Sequence, residues 1–282
     1  MKGKKFMVFA GILFLVFSLS AEKYSVKKVW ETPQVLKVPE SVLYDPGTNA
    51  IYVSNINGNP GVEDKNGFIS KISTEGKILA LKWATGLGAP KGMAIFKGKL
   101  YVSDVKSLVC IDLSTGKILR RVPAPGAQFL NDVAVDENGN VYVSDSSGKN
   151  SVVYRFSGGK IETWLKDPEI KNPNGLFYSG GKLYVGASGK IFAVDVKTRK
   201  MKVVANVGHG IDGLILDKAG FFIISDWRGK TELVTKDGKI HLLLDTTANK
   251  INAADLGYIP EKRIILVPTF FDNRVVAYSL NM

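Results

Sequence analysis

The chain is poor in the residues that most hydrolytic and redox chemistries need. It has 282 residues and a single cysteine, Cys110, so an internal disulfide is excluded. Cys110 lies in the apolar run Leu108–Ile111 and reads as a small buried hydrophobe rather than a nucleophile or ligand. There are two histidines, His209 and His241, and no GxSxG, which argues against a Ser-His-Asp enzyme and against a repeated His metal site. No GxGxxG opens a helix, and Gly189-Lys190 is followed by Ile191, so the phosphate-cradling loop of nucleotide enzymes is missing. The lysines are spread along the chain, with no tight basic block and no basic run interleaved with aromatics, so nothing matches a nucleic-acid module.

Long hydrophobic runs are also scarce. The one at the start, Phe6–Phe17, follows Lys2, Lys4 and Lys5 and precedes the small residues Ser18-Leu19-Ser20-Ala21. It is shorter than the ~20 residues of a membrane span, so residues 1–21 read as a secretory signal peptide. An uncleaved anchor is the other reading of these residues. The expectation is an exported protein, periplasmic or secreted, with no stable membrane span after cleavage. The formal charge of +12 falls to +9 (12 − 3) without those three lysines. A basic surface favours anionic partners or simply solvates the protein.

What the chain has in abundance is a repeat. The phrases IYVSN (51–55), LYVSD (100–104), VYVSD (141–145), LYVGA (183–187), FIISD (222–226) and ILVPT (265–269) recur, with gaps of 49, 41, 42, 39 and 43 between their second residues. A Gly- or Asp-rich turn precedes each phrase, and a turn ending in Lys plus an apolar residue follows most of them. Each unit therefore reads as four short strands joined by turns and a loop. A period of about 40 built from short strands is the propeller signature. The pattern predicts an all-β fold: a six-bladed β-propeller of four-stranded antiparallel blades, forming one domain over residues 22–282. The last unit supplies only three strands, LGYI, RIILVP and RVVAYSL. The N-terminal segment Tyr24–Trp30 is expected to add the fourth and close the ring.

Six polar residues lead the first strand of the six units: Glu40, Lys91, Asn131, Asn174, Asp212 and Asp255. The first strand of a blade is its innermost, so these heads converge on one end of the axis. The same face carries His209, Trp227, Arg228, Phe270, Phe271 and the long loop Asn55–Gly67. Carboxylates and amide carbonyls without Cys suit a hard cation, Ca²⁺ first, with Mg²⁺ or Mn²⁺ as further options. Three carboxylates and one lysine sum to −2, which a divalent ion would neutralise. Such residues can also cap turns or line a water-filled channel; six at matching positions point to a cation or substrate site.

Glu40, Asn131-Asp132, Asn174-Gly175 and Asp212-Gly213, in this order at blade spacing, resemble the senescence marker protein/gluconolactonase (regucalcin-like) family, in an exported bacterial-type branch. The resemblance covers roughly residues 35–280. It implies a divalent metal, Ca²⁺ or Zn²⁺, at one end of the channel, with Glu40, Asn174 and Asp212 as ligands and Asn131 touching metal or substrate. It also implies a general-base or nucleophile role for Asp212, in a lactonase or related ester hydrolase. Lys91 departs from the better-known lactonases: it would bind an anionic substrate group or pair with Asp255.

The expected reaction is metal-dependent hydrolysis of a lactone or similar ester, a small molecule, with anionic ones among the candidates. Asp212 activates water, Asn131 orients the substrate and Lys91 stabilises developing charge. Asp255, His209, Trp227, Phe270 and Phe271 complete the substrate-side candidates, although the aromatics also suit loop packing and His209 suits a plain loop residue. The alternative is a non-catalytic exported propeller that binds a small ligand, glycan or protein on the same face, with the metal as a plug.

Overall fold

The computed structural model describes residues 24–148 and 151–282. The signal-peptide reading of residues 1–21 lies outside the described residues. Among them, no helix is long and apolar enough to cross a membrane.

Among the described residues, twenty-four strands and two short 3₁₀ turns make up the fold. Strand β1 (Ser25–Glu31) is followed by blade 1, which comprises β2 (Pro39–Asp45), β3 (Ala50–Asn55), β4 (Gly67–Ser73) and β5 (Ile78–Leu87). Blade 2 is β6 (Pro90–Phe96), β7 (Lys99–Asp104), β8 (Ser107–Asp112) and β9 (Ile118–Pro123). Blade 3 is β10 (Leu130–Val135), β11 (Val141–Asp145), β12 (Val152–Ser157) and β13 (Lys160–Leu165). Blade 4 is β14 (Leu176–Ser179), β15 (Lys182–Ala187), β16 (Lys190–Asp195) and β17 (Met201–Asn206). Blade 5 is β18 (Leu214–Leu216), β19 (Phe222–Asp226), β20 (Lys230–Val234) and β21 (Ile240–Asp245).

Blade 6 is β22 (Gly257–Ile259), β23 (Ile264–Pro268) and β24 (Val275–Asn281), with β1 as its outer strand. The pairing of β1 with β24 runs from Ser25↔Asn281 to Glu31↔Val276. The ring is closed by joining the two ends of the chain in one sheet, as the three-strand last unit predicts. The 3₁₀ turns, Thr247–Asn249 and Phe270–Asp272, are the only helical pieces among the described residues.

The core is divided as the repeat requires. Six apolar clusters lie one at each blade–blade interface, for example Tyr52, Ile69, Met93 and Val102 between blades 1 and 2. Each strand contributes alternate residues to one interface or the other, because successive side chains point to opposite faces. Cys110 packs against the cluster between blades 2 and 3 but is half-buried rather than fully enclosed. Burial pushes its thiol pKa up, which fits an inert side chain.

Four of the six repeat phrases carry a serine at the fourth position, and its hydroxyl ties the blades together at the axis. In three of them it bonds the head of its own inner strand: Ser54 Oγ accepts from Ser41 N at 2.9 Å, Ser144 Oγ from Asp132 N at 2.9 Å and Ser225 Oγ from Gly213 N at 2.8 Å. Ser103 instead donates to the Asn131 carbonyl of the next blade. The residue after the serine caps the loop that leads into the inner strand. Asn55 accepts from Lys37 N at 2.9 Å, Asp104 from Gly88 N and Ala89 N, and Asp145 from Gln128 N and Phe129 N. In blades 1 and 3 the phrase thus fixes the backbone on both sides of the head residue, Glu40 or Asn131.

Candidate functional site at the head of the axis

In blades 1 to 3 the head residue sits in a β-bulge. The register of β2 with β3 goes from Pro39↔Asn55 to Val42↔Val53, and β6/β7 and β10/β11 carry the same one-residue insertion after Pro90 and Leu130. A bulge re-aims the inserted side chains. Here it turns Glu40-Ser41, Lys91-Gly92 and Asn131-Asp132 toward the axis. In blades 4 to 6 the heads Asn174, Asp212 and Asp255 stand two residues before the strand proper. The residues after the heads are small in four of six blades: Ser41, Gly92, Gly175 and Gly213. A Cβ on Gly92 would collide with the Asp132 backbone, one on Gly175 with the Asp212 carbonyl, and one on Gly213 with Leu256 N. These glycines let neighbouring inner strands approach closely, and that approach brings the heads together.

Glu40, Lys91, Asn131, Asp212 and Asp255 are buried and Asn174 is half-buried. Asn174 Nδ2 donates to Asp212 Oδ1 at 2.5 Å. Two acceptor oxygens are left without a donor although they are sealed from water: Glu40 Oε2 and Asn174 Oδ1. An orphaned buried acceptor costs free energy unless something electropositive faces it. Among the described residues no three His, Cys, Asp or Glu side chains form a metal-ligand group. The set that fits a cation here has two carboxylates and one amide, Glu40, Asp212 and Asn174, and two of these three residues carry the orphaned oxygens. All-oxygen donors suit a hard ion.

The electrostatics show the same crowding. Burial, then the charge of Asp212, raises the Glu40 pKa well above the carboxylate range, against the pull of Lys91. Asp212 is pushed up to about 7 by burial, with Asn174 opposing and Asp226 adding to the rise. Burial carries Asp132 to about 7 and Asp255 well above its ordinary value. Burial also brings the Lys91 ammonium down to about 8, although Glu40 and Asp104 favour its charge. A nearby positive charge would favour the ionised carboxylates and lower these values.

Lys91 does not pair with Asp255. Its Nζ donates to the Ala89 carbonyl at 3.1 Å and lies 4.3 Å from the centre of the Phe129 ring. Asp255 instead accepts from Ser41 Oγ at 2.5 Å, and the charge of the neighbouring Asp132 raises its pKa. Asp132 belongs to the site although the sequence reading gave the role to Asn131 alone. It accepts from Val133 N at 2.6 Å and Leu176 N at 2.5 Å, so it also fixes the inner strand of the next blade. The signal for it was visible: it is the one carboxylate at a position where the other blades have Ser, Gly, Gly, Gly and Leu.

His209 is near the site but held elsewhere. Its Nε2 is 2.8 Å from Glu232 Oε2 and its Nδ1 is 2.9 Å from the Gly210 carbonyl. It reaches Asp212 only indirectly, since its Nδ1 is 4.0 Å from Asp226, whose charge acts on Asp212. The aromatics form an edge-to-face trio, with ring centres of Trp227–Phe270, Trp227–Phe271 and Phe270–Phe271 at 5.5, 6.2 and 4.8 Å. Trp227 and Phe271 are exposed, whereas Phe270 is 5 % exposed.

Phe270 packs with Val38, Ile56, Ala89, Val105 and Ala254 into an apolar roof over the Glu40–Lys91–Asp255 side of the ring. Val38, Val105 and Phe270 all have left-handed backbone, with φ of 52°, 55° and 51°. Bulky and β-branched residues rarely take this conformation, and each instance costs on the order of 1–3 kcal/mol. The roof therefore holds strain beside the ring.

Residues 38–257 match the family profile described as SMP-30/Gluconolactonase/LRE-like region. No curated protein matches the sequence significantly. Among solved structures, a structural-genomics target assigned as a gluconolactonase aligns with a TM-score of 0.68 at 17% identity, covering 93% of each chain. A streptogramin B lyase aligns at 0.66 and 10% identity, covering 92% of this chain and 98% of that one. A calcium-binding protein, regucalcin, from Agrobacterium tumefaciens str. C58 aligns at 0.64 and 16% identity, covering 89% and 93%. At these identities the structures establish the fold alone.

Proposed function

The chain belongs to the SMP-30/gluconolactonase/LRE-like family, and from that premise we propose that it is a divalent-cation-dependent hydrolase of a lactone or similar small ester. The observation that carries the proposal is the pair of buried, donorless oxygens Glu40 Oε2 and Asn174 Oδ1 beside Asp212. Glu40, Asn174 and Asp212 would hold the ion, Ca²⁺ before Zn²⁺, Mg²⁺ or Mn²⁺, with Asn131 next to it. When bound, such an ion acts as a Lewis acid on the ester carbonyl.

The chain's own residues do the rest. The Asp212 carboxylate takes the proton of the attacking water, and the amide of Asn174 fixes its orientation by the 2.5 Å bond. Asn131 orients the substrate. Lys91 supplies positive charge toward the carboxylate that ring opening produces, which suits a substrate with anionic character. Trp227 and Phe271 border the entrance. Asp255 and His209 act from behind: Asp255 on the ring through Ser41 and Asp132, and His209 through Asp226. The proposal includes export to the periplasm or exterior, on the strength of the basic and apolar leader.

The test is a screen of aldonolactones, acyl-homoserine lactones and aryl esters with calcium or chelator present. Turnover that requires the ion and disappears in Asp212→Asn supports the reading; turnover that survives both sinks it. A second reading, a non-catalytic propeller with the ion as a plug, is favoured by the Phe270 roof over half the ring. It expects calcium-dependent melting without turnover of any lactone or ester.

A further inference from the structure

The face of the propeller opposite the ring consists of the turns that join the first strand to the second, and the third to the fourth, within each blade. Counted with the strand residue on either side, these turns hold fourteen Lys and Arg, and all fourteen are exposed. They hold nine Asp and Glu, of which only Glu75, Glu137, Asp237 and Glu261 are exposed. The buried acids cap their own turns: Asp45 accepts from Gly47 N and Thr48 N, Asp136 from Asn138 N and Asn140 N, and Asp217 from Phe221 N. Among the described residues, two of the fourteen cations make an ion pair, Lys239 with Asp237 and Lys262 with Glu75. The loops of the ring face, counted the same way, expose seven basic and five acidic residues among those described, so the positive charge is concentrated on the opposite side.

Exposed apolar side chains border the same face. Leu79 and Leu119, 57 % and 53 % exposed, are the second residues of the outer strands β5 and β9. Val203 stands near the start of β17, and Ile240 opens β21. All four lie within a few residues of a basic turn. The chain also enters the fold here. In blade 6 the two chain ends replace the last turn: Ser25, at the start of β1, pairs with Asn281 at the end of β24. Tyr24 is therefore on the basic face, and the apolar run Phe6–Phe17 precedes it by a few residues in the chain.

We propose that this face docks on an anionic phospholipid bilayer. A bilayer presents a broad field of phosphates that meets several turns at once, and each Lys or Arg near it adds to the attraction. It also offers an interface where exposed Leu, Ile and Val leave water beside cationic groups. A nucleic acid or an acidic polysaccharide matches the lysines but gives the apolar border nothing to enter. The leader points the same way, because a membrane-directed segment joined at Tyr24 brings this face, and not the ring, to the lipid. Docked so, the ring faces away from the membrane and stays open to solutes.

The test is co-sedimentation of the purified protein, in EDTA, with vesicles of phosphatidylcholine alone and of phosphatidylcholine with about 30% phosphatidylglycerol. Any leader still attached contributes equally to both, so the difference reads the face. The expected result is binding at least about tenfold tighter to the anionic vesicles, lost as salt rises toward about 0.5 M. Combined Lys197→Glu, Arg199→Glu and Lys200→Glu, in one turn of blade 4, removes most of the preference. Combined Lys106→Glu, Lys166→Glu and Lys171→Glu, the same change of charge on the ring face, keeps it. Leu79→Ser with Leu119→Ser weakens binding to the vesicles and leaves binding to immobilised heparin unchanged. All eight side chains are exposed, and a melting scan of each variant checks its fold. Equal binding to both kinds of vesicle overturns the proposal, and so does an equal loss in the two triple variants, which would make the effect one of net charge. Vesicle binding indifferent to the two leucines, with heparin bound as tightly, assigns the face to a soluble polyanion and overturns it too.

Discussion

Asn174 and Asp212 lie 38 residues apart at the heads of neighbouring blades, and the amide of the first donates to the carboxylate of the second at 2.5 Å. That bond uses the Asn174 nitrogen and leaves its Oδ1 turned into a buried space without a donor. The geometry of one pair therefore creates the acceptor that a cation would satisfy, and Glu40 Oε2 supplies a second.

Calcium is expected to raise the melting temperature of the wild-type protein relative to chelator, because an ion bound only by the folded state stabilises it. At a calcium concentration 100 times the dissociation constant the gain is about 2.7 kcal/mol. Glu40→Gln and Asp212→Asn should each lose most of the shift. Differential scanning calorimetry with calcium and EDTA reads it directly. A shift of equal size in all three proteins would move the ion elsewhere.

Stability without calcium should fall as pH rises. Asp132 and Asp212 titrate near 7 when folded, against about 4 when unfolded. Between those values the native state binds more protons than the unfolded state, so the free energy of unfolding decreases with pH through this window. Lys91, brought down to about 8, has the opposite sign, but its effect is confined to pH above 8. The chelated protein should melt higher at pH 5 than at pH 7.5, and calcium should flatten the slope by favouring the charged carboxylates. A chelated protein that is more stable at pH 7.5 would contradict the crowding.

Lys91→Met should tighten calcium binding, at least several-fold, while reducing turnover. The ammonium now acts on Glu40, a proposed ligand, and a positive charge near an ion lowers its affinity. Titration of the variant by calorimetry, followed by kcat and KM on a substrate identified by the screen, separates the two effects. Weaker calcium binding would mean that Lys91 supports the ion rather than opposing it.

Phe270→Ala should destabilise the protein by about 3 kcal/mol, because a buried aromatic side chain is removed from a packed cluster. It should also unroof the Glu40 side of the ring. If access limits the reaction, KM falls or bulkier esters become substrates; if the aromatic trio binds substrate, KM rises. Denaturant melts and KM measured on lactones of increasing size distinguish these outcomes.

The repeat made most of the fold legible. Four short strands every 40 or so residues can bury their faces only against copies of themselves, so the period dictates a closed ring of blades. The three-strand last unit likewise dictated that β1 complete it. The six heads were readable as a ring because each stands at one place in its unit. Asp132, the bulges that aim Glu40, Lys91 and Asn131, and the partner of Lys91 were not readable in that way. They depend on which strand lies beside which at the axis, and single-chain spacing carries no such information.

Sequence by itself therefore determined the number of blades, how the ring closes and which polar residues head the inner strands, since these follow from local strand pattern and its repetition. Tertiary structure alone decided which of those residues touch. Asp255 went to Ser41 and not to Lys91, His209 went to Glu232, and Phe270 became part of a buried apolar cluster. The physical reason is that small residues behind the heads let neighbouring inner strands approach closely, and at that range burial and crossed hydrogen bonds choose the partners.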